Sequence, residues 1–560
     1  METCTSAHDC PAPESSGTLP LRLIDVMPTD SGHFNPTTMG QDEFDRLNLE
    51  QLPGVRIIET THLLPGTRYI TLSHRWGNPP SILLSEKTSF LLSEDITPYL
   101  LHYDDTAVFR HAIHVTRALG FPYIWIDALC IMQDDDCEKT EEIIRMDEIY
   151  SSCALNISST EGQPHEGLVH ERNLLCINPC QATIDASGSR SEVCLHAFPD
   201  KWFLGPGEGP LNKRGWVFQE RMMAPRIVHF TKDQVFWECD SLEASEVLPR
   251  GVPGSRRALP GIGISRATST TEMKAWWYDI VENYSLTSLT FADDRLLAVS
   301  ALAKRCCERL GLHGSQYLAG MWRDDLPLSL LWSLYTGSET AGPVPATSQG
   351  TEMKHAPSWS WASVLWPVRT VGLSSVGDVA KVSSMIATAE VLDLQIARVS
   401  ANWFGGVTSC SLRLCGRVCK FRRCLRDAVP WVCVGERSEF QEFRDFDFQK
   451  GKAIIVEWDT CRRAVADCLR SDDNASEPGT YFLLHVASEN SVDGPMEHGI
   501  VLRSLGERGM YARAGSFFTP FNSEYPGSEL EDAFTGHLDT LSGDDYVGIA
   551  SGGRYVIDVT

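Results

Sequence analysis

The sequence has fewer basic than acidic residues. Its 560 residues include 49 Lys and Arg and 74 Asp and Glu, which gives a formal net charge of −25 at pH 7. A field of that sign repels nucleic-acid phosphates and anionic lipid headgroups, so we expect neither as a partner. No stretch approaches the roughly 18 uninterrupted apolar residues that a membrane-spanning helix needs. The first residues, METCTSAHDCPAPESSG, lack the basic and apolar segments of a secretory signal.

Several chemical signatures are also missing. The chain has no Gly-rich phosphate loop, no Ser-His-Asp order typical of hydrolases and no HExxH zinc motif. Without a secretory signal, the 18 cysteines are expected to be reduced thiols in the cytoplasm. Four of them lack the C-x₂₋₄-C pairs with matching partners that zinc sites show: Cys410, Cys415, Cys419 and Cys424. The alternation in SCSLRLCGRVC fits a β-strand instead.

The composition that remains is that of a globular, multidomain protein, with 42% apolar residues. Changes in composition predict four segments. They are a polar, disordered leader (1–19), an α/β domain (20–245), a helical segment associated with that domain (246–340) and a β-rich C-terminal region (341–560). A basic stripe from Arg413 to Arg426 is interpreted as a solvated strand face, with a protein-docking surface as the alternative.

The α/β domain is predicted from alternating β-rich and helical runs. Helical runs cover 105–120, 138–153 and 214–225, and β-rich runs cover 21–26, 55–60, 68–74, 123–131, 154–159, 226–231 and 234–239. Such an alternation favours a parallel sheet, in which ligands bind at the carboxyl ends of the strands. The residues expected there are His74-Arg75-Trp76-Gly77, Asp127, Ser158 and Ser159, and the helix that carries Glu220.

Several of these residues have structural interpretations as well. Asp127 lies within an apolar run, where an unpaired charge would be costly, so it either pairs with Arg75 or Arg214 or lines a site. His74, alone at a strand end, favours a structural role. The acidic run 134–136 is more typical of solvated or helix-capping residues than of a metal site.

Three separated blocks resemble one family. RYITLSHRWGNPP, PYIWIDALCIMQDDDCEKTEEIIRMDEIYSSCALNISS and LNKRGWVFQERMMAPRIVHFTKDQVFWEC together resemble the fungal heterokaryon incompatibility (HET) domain. The lead-in PLRLIDV and the downstream WWYDIVENYS, YLAGMW and APSWSWASV extend the likeness over about Leu21 to Val364. His74, Phe218 and the pair 222–223 depart from the common pattern, but no charged residue of the motifs is lost.

The resemblance implies a role in fungal allorecognition and innate immunity, as an effector that triggers cell death after incompatible fusion. The HET domain is in turn distantly similar to Toll/interleukin-1-receptor (TIR) domains, which have a flavodoxin-like α/β fold. Many TIR domains cleave NAD with a glutamate in a W-C-x-x-E pattern on their third helix. Trp216 and Glu220 have the same spacing here, on the corresponding helix.

This likeness suggests a hydrolase of the nicotinamide–ribose bond, with NAD as the substrate and no cofactor or metal required. Glu220 would be the catalytic carboxylate that stabilises positive charge on the ribose. Trp76 and Trp216 would stack on the bases, while Arg75 and the backbone at Gly77 would contact the diphosphate. Asp127 would line the site.

Each assignment has an alternative: Glu220 as a surface acid paired with Arg214, Arg221 or Arg226, and Trp216 as a core residue. The function of the whole domain also has an alternative. It could be a non-catalytic signalling or interaction module that acts by self-association or by recruiting other proteins of an incompatibility or immune pathway. The large β-rich C-terminal region favours that alternative, because it offers interaction surface without recognisable chemistry. Homo-oligomerisation fits both functions.

Overall fold

The computed structural model forms two compact units, Met1–Arg266 and Ala267–Thr560. The residues that it describes are 4, 10, 19–27, 54–76, 80–161, 163–170, 180–186, 189–195, 207, 209–251, 269–335, 355–370, 373, 385–422, 431–433, 453–458, 480–491, 494–518 and 541–560. The predicted division into four segments at 19/20, 245/246 and 340/341 stays a prediction.

The first unit contains ten described strands. They are β1 (Arg22–Asp25), β2 (Arg56–Glu59), β3 (Ile70–Ser73), β4 (Tyr123–Trp125), β5 (Leu155–Ser159), β6 (Cys180–Ala186), β7 (Ser189–Leu195), β8 (Arg226–Phe230), β9 (Val235–Cys239) and β10 (Glu243–Ser245). Eight of them form one sheet in the order β10-β9-β8-β5-β3-β4-β1-β2, and β6 pairs with β7 in a separate hairpin.

The centre of this sheet is parallel. Strands β4, β3, β5 and β8 run in the same direction, and taken in chain order they are arranged 2-1-3-4. That is the order of the first four strands of flavodoxin-like sheets, so the α/β prediction is confirmed. The prediction of a wholly parallel sheet is corrected at both edges, where β1, β2, β9 and β10 pair antiparallel. At one edge, short connections over 231–234 and 240–242 join β8, β9 and β10 without crossover helices. At the other edge, β1 pairs with β2 and β4, which follow it at much longer separations in the chain.

The helices of the first unit follow the strands closely. They are α1 (Thr97–His102), α2 (Ala107–Ala118), α3 (Asp127–Cys130), α4 (Asp136–Ile144), α5 (Met146–Ser152) and α6 (Gly215–Met223). The predicted strand over 123–131 ends at Trp125 and continues as α3, since an apolar run of this length does not by itself distinguish a strand from a buried helix. The helix predicted over 138–153 is divided at Arg145 into α4 and α5.

Helix α2 ends as its sequence indicates. Gly120 has a φ of 75°, and its N–H donates to the carbonyl oxygen of Arg117, while that of Phe121 donates to Thr116. This pair of bonds is a Schellman motif, in which a glycine accepts the left-handed conformation at little cost. The chain is thereby turned directly into β4.

The second unit begins with two helices, α7 (Thr270–Ser285) and α8 (Ser300–Arg309), as predicted. Ser269 and Glu272 form a capping box at the start of α7. The remaining described strands are β11 (Tyr317–Leu318), β12 (Met321–Trp322), β13 (Ser333–Leu334), β14 (Val368–Arg369), β15 (Met385–Ala387), β16 (Glu390–Arg398), β17 (Val407–Gly416), β18 (Val418–Arg422), β19 (Trp431–Cys433), β20 (Ala453–Trp458), β21 (Thr480–Ser491), β22 (Gly494–Ser504), β23 (Met510–Phe518), β24 (Gly548–Ala550) and β25 (Arg554–Val559).

The long sheet of the second unit has the main order β15-β21-β22-β23-β25-β17-β16, which confirms the β-rich C-terminal prediction. Cys410 and Cys415 lie on β17 and Cys419 on β18, as the alternation indicated; Cys424 lies outside the described residues. In the basic stripe, Arg413 pairs with Asp558 at 2.7 Å and Lys420 with Asp545 at 3.5 Å.

The three downstream blocks of the family resemblance meet in one aromatic cluster. The indole N–H groups of Trp277 and Trp361 both donate to the carbonyl oxygen of Gly320, at 3.1 and 2.9 Å. Gly320 has a φ of 100°, and a Cβ there would lie 2.4 Å from Trp361. Trp322 and Tyr317 pack edge-on against Trp277. Residues from all three blocks therefore pack together in the core of the second unit.

Among the described residues, none of the helices combines the length and apolar character required to span a bilayer.

Candidate functional site

Strands β3 and β5 lie side by side at the centre of the first sheet, and their connections leave in opposite directions. The chain passes from β3 to β4 on one side and from β5 to β8 on the other. In open α/β sheets, ligands bind at the carboxyl ends of the strands where the connections diverge in this way. Ser73 ends β3 and Ser159 ends β5, so the candidate site is centred on these two strand ends.

Glu220 lies in the second turn of α6, and its carboxylate meets the end of β3. Its Oε2 atom accepts one hydrogen bond from Ser73 Oγ at 2.5 Å and another from the Tyr150 hydroxyl at 3.0 Å. The residue is 8% exposed. Glu220 is therefore not the surface acid of the alternative interpretation, and it is part of a buried polar network at the strand ends.

The surroundings of Glu220 alter its acidity. Burial raises the pKa of Glu220 from the usual 4.5 to about 7, because the charged form loses its hydration. The negative charge of Asp127 also raises this pKa, whereas the hydrogen bonds from Ser73 and Tyr150 and the positive charge of Arg214 lower it. A carboxyl group in this condition exchanges its proton near neutral pH.

The two hydrogen-bond donors of Glu220 are themselves held in place. Asn156 on β5 donates to Ser73 Oγ at 3.1 Å and accepts a bond from Thr71 Oγ1 at 3.0 Å. Tyr150 packs edge-on against Trp125, and burial keeps its pKa well above the usual value, so its hydroxyl remains protonated and able to donate. The geometry around Glu220 is thus fixed by residues of β3, β4, β5 and α5.

A second buried network anchors α6. Arg221, next to Glu220, forms an ion pair with Glu238 on β9 at 2.9 Å, and Glu238 also contacts His229 on β8 at 2.8 Å. Glu238 and His229 are fully buried. At the other end of the helix, Arg214 donates to the carbonyl oxygen of His74 at 3.1 Å. These contacts fasten both ends of α6 to the sheet and hold Glu220 over Ser73.

Asp127 forms a cluster of its own, at the start of α3 and directly after β4. Its carboxylate accepts hydrogen bonds from the indole of Trp76 at 3.0 Å and the backbone N–H of Ala128 at 2.8 Å. His74 lies 3.8 Å away, packs edge-on against Phe109, and has a pKa lowered by burial. Asp127 therefore contacts an indole and an imidazole, and among the described residues it forms no ion pair with Arg75 or Arg214, which was one of its two expected alternatives.

The other residues predicted for the site have less defined positions. Arg75 is half-buried after β3 and, within the part of the chain that the structure describes, forms no ion pair with Asp127 or Glu220. Trp216 is half-buried in α6, one turn before Glu220, and so is not a fully buried core residue. Gly77 lies outside the described residues. The acidic run is structural: Asp135 caps α4, and Asp134 accepts the backbone N–H of Glu86.

The structure thus brings Glu220, Asp127 and Trp76 to the same strand ends, although Glu220 and Asp127 do not touch. Sequence reasoning missed Ser73, Tyr150 and Asn156 as partners of Glu220. Ser73 had the strongest available signal, because it is a polar residue at a buried strand end beside the predicted site. Tyr150 lies within the helical run predicted over 138–153, which carries no signal for a contact with Glu220. Chemically, the arrangement presents a proton-exchanging carboxyl beside an indole and a second carboxylate.

Comparison with known proteins identifies the domain. A family model described as "Heterokaryon incompatibility protein (HET)" matches residues 69–220, a range that begins at β3 and ends at Glu220. No curated protein matches the chain, and no solved structure does. The match supports a role related to heterokaryon incompatibility. Residues 69–220 of this chain form a heterokaryon incompatibility domain.

Proposed function

We propose that this HET domain hydrolyses the nicotinamide–ribose bond of NAD and thereby acts as a cell-death effector in fungal allorecognition. The observation that carries the proposal is Glu220, a buried carboxyl with a pKa raised to about 7 at the carboxyl ends of the parallel strands. Strand ends are the ligand-binding edge of this class of sheet. Perturbed carboxyl groups are concentrated at sites that carry out chemistry.

The reaction places a specific demand on the site. Nicotinamide leaves with the bonding electron pair, positive charge develops on the ribose, and water adds at the same carbon, releasing ADP-ribose, nicotinamide and a proton. An ionised Glu220 stabilises the cationic transition state, as carboxylates do in glycoside hydrolysis. Ser73 and Tyr150 orient it through hydrogen bonds that need no rearrangement during the reaction.

The neighbouring residues supply binding groups for a dinucleotide. The indole of Trp76, held by Asp127, and that of Trp216 offer stacking surfaces. Arg75 follows the strand end and is suited to the diphosphate, because guanidinium groups bind phosphate oxygens in pairs. A locally positive site of this kind is compatible with a net charge of −25, since Arg75 and Arg214 both lie beside it.

Activation is part of the proposal. Glu220 is only 8% exposed in this arrangement, so the ribose reaches it only after the strand ends open. Self-association, or a protein of the incompatibility pathway, would supply the free energy for that opening. The resting chain is therefore expected to turn over NAD slowly until it is assembled.

A non-catalytic interaction module is the second candidate. The observation in its favour is that Ser73 and Tyr150 already donate hydrogen bonds to the Glu220 carboxylate, as such residues do to a carboxyl group with a purely structural role. The two functions differ in their response to Glu220→Gln, which preserves the shape of the side chain and removes its charge.

The test is expression of the full chain in yeast, with NAD content and viability measured together. The proposal predicts that wild type depletes NAD before cells die, that Glu220→Gln does neither, and that the exposed control Glu141→Gln behaves as wild type. Killing by Glu220→Gln with NAD intact would support the interaction module instead.

A further inference from the structure

Three cysteine thiols converge where strand β9 ends. Cys4 and Cys10 come from the N-terminal leader, and Cys239 ends β9. Their sulfur atoms all lie within 4.8 Å of one another. Cys4 and Cys239 are buried and Cys10 is half-buried, so Cys4 and Cys10 lie against a strand more than 200 residues later in the sequence.

Two polar residues form hydrogen bonds with the thiols. Arg226 Nε donates to Cys4 Sγ at 3.2 Å, and Arg226 lies directly opposite Cys239 in the β8–β9 register. Cys10 Sγ hydrogen-bonds Ser241 Oγ at 3.5 Å. The Arg226 guanidinium thus places a positive charge beside the sulfur atoms.

Cys239 is also placed as metal ligands often are. It opens a tight turn in which its N–H and carbonyl group bond to Leu242, and Ser241, whose hydroxyl contacts Cys10, lies within that turn. A rigid turn fixes the direction of the cysteine side chain without any contribution from the metal. Second-shell hydrogen bonds to ligand sulfurs are a regular part of such sites.

The number of thiols and the distances between their sulfur atoms favour a bound metal ion over a disulfide. A disulfide would use two of the three sulfurs and leave the third beside it. Thiolates around a tetrahedral zinc ion lie roughly 3.8 Å apart, because Zn–S bonds are about 2.3 Å long. The observed cluster reaches that spacing with small side-chain movements, and thiolates select soft or borderline ions such as zinc.

We propose that Cys4, Cys10 and Cys239 bind a zinc ion that fastens the N-terminal leader to the β9–β10 hairpin. Three thiolates and Zn²⁺ carry a net charge of −1, which the adjacent Arg226 guanidinium neutralises. Three ligands leave one position of the tetrahedron for water. Because the cluster is distinct from Glu220 and its hydrogen-bond partners, the site acts on stability, whatever reaction the HET domain performs.

The experiment measures zinc in the purified full-length chain by plasma mass spectrometry, together with X-ray absorption at the zinc edge. We expect one zinc per chain, about three sulfur ligands near 2.3 Å, and loss of at least 80% of the metal in both Cys10→Ser and Cys239→Ser. Cys137→Ser, which changes an exposed cysteine on α4, is the control and keeps the metal.

Two results would overturn the proposal. One is a zinc content below about 0.1 per chain in wild type purified from zinc-supplemented cells. The other is equal zinc in wild type and Cys239→Ser, which would assign the metal to other cysteines. Non-reducing peptide mapping is done in parallel, and a disulfide among the three cysteines in place of the metal also counts against it.

Discussion

Ser73 Oγ donates to Glu220 Oε2 at 2.5 Å, joining the end of a central parallel strand to a helix 147 residues later in the chain. The bond fixes a buried carboxyl at the edge of the sheet where ligands bind in this fold class. Tyr150 adds a second donor from a third element. The HET domain therefore contains one preorganised carboxyl at its strand ends, and the predictions below concern its charge, its supports and its chemistry.

Glu220→Gln should make the pH dependence of stability flatter. Burial raises the pKa of Glu220 to about 7, so the native state holds a proton between pH 4.5 and 7 that the unfolded state releases. The stabilisation from this group is fully present below pH 4.5 and is lost as the pH rises through 7. Wild type should lose about 3 kcal/mol relative to Glu220→Gln between pH 4.5 and 8. Urea unfolding at both pH values measures this, and parallel curves would contradict it.

Asp127→Asn and Arg214→Gln should move that pH dependence in opposite directions. The charge of Asp127 raises the pKa of Glu220 and that of Arg214 lowers it. In Asp127→Asn, the free energy of unfolding should therefore fall at lower pH than in wild type. In Arg214→Gln, it should fall at higher pH. The measurement is the unfolding free energy at half-unit pH steps from 4.5 to 8.5. Shifts in the same direction in both variants would show that these charges do not act on Glu220.

Tyr150→Phe should raise the pKa of Glu220 further, since the lost hydrogen bond favours the charged form. It should also cost about 1 kcal/mol in stability. Tyr69→Phe is the matched control, because Tyr69 is another buried tyrosine whose hydroxyl donates to the Ile149 carbonyl oxygen and does not touch Glu220. Both variants should be similarly destabilised, but only Tyr150→Phe should displace the pH profile of nicotinamide release. Equal profiles would argue against a role for Tyr150 at the carboxyl.

Arg221→Met should destabilise the first unit by about 3 kcal/mol or more, because it removes the guanidinium that forms a buried ion pair with Glu238. Glu390→Gln breaks an exposed ion pair with Arg554 in the second unit and should cost under about 1 kcal/mol. Denaturant midpoints monitored by limited proteolysis of each unit distinguish the two. A cost for Arg221→Met as small as that for Glu390→Gln would mean that this network does not anchor α6.

The local elements were predictable where periodicity and end signals agree. The strand at 154–159, the helix ended by Gly120 and the helix that carries Glu220 all follow from apolar spacing, glycine and proline. The direction of the edge strands was not predicted. The antiparallel pairing of β1 depends on β4, about 100 residues later in the chain. The antiparallel pairing of β9 had a local signal, because β9 follows β8 after only residues 231–234.

The candidate site was predictable only in outline. The four-residue spacing of Trp216 and Glu220 indicated the helix, and the rule for strand ends indicated the edge. The hydrogen-bond partners of Glu220 were not predictable. Ser73 and Tyr150 lie 147 and 70 residues away, and nothing in the sequence distinguishes them from other serine and tyrosine residues. The partner of Asp127 was missed for a related reason: an indole N–H can donate to a carboxylate, as a guanidinium can, and composition does not show which of them will do so.

The central claim is that Glu220 is the reacting carboxylate of an NAD hydrolase. Its most direct measurement is the rate of nicotinamide release from NAD by the purified full-length chain at pH 8, concentrated to allow self-association, with Glu141→Gln as control. The account predicts that Glu220→Gln lowers this rate at least about 100-fold while Glu141→Gln leaves it unchanged. Release by Glu220→Gln within twofold of wild type, or no release by any of the three proteins, would contradict it.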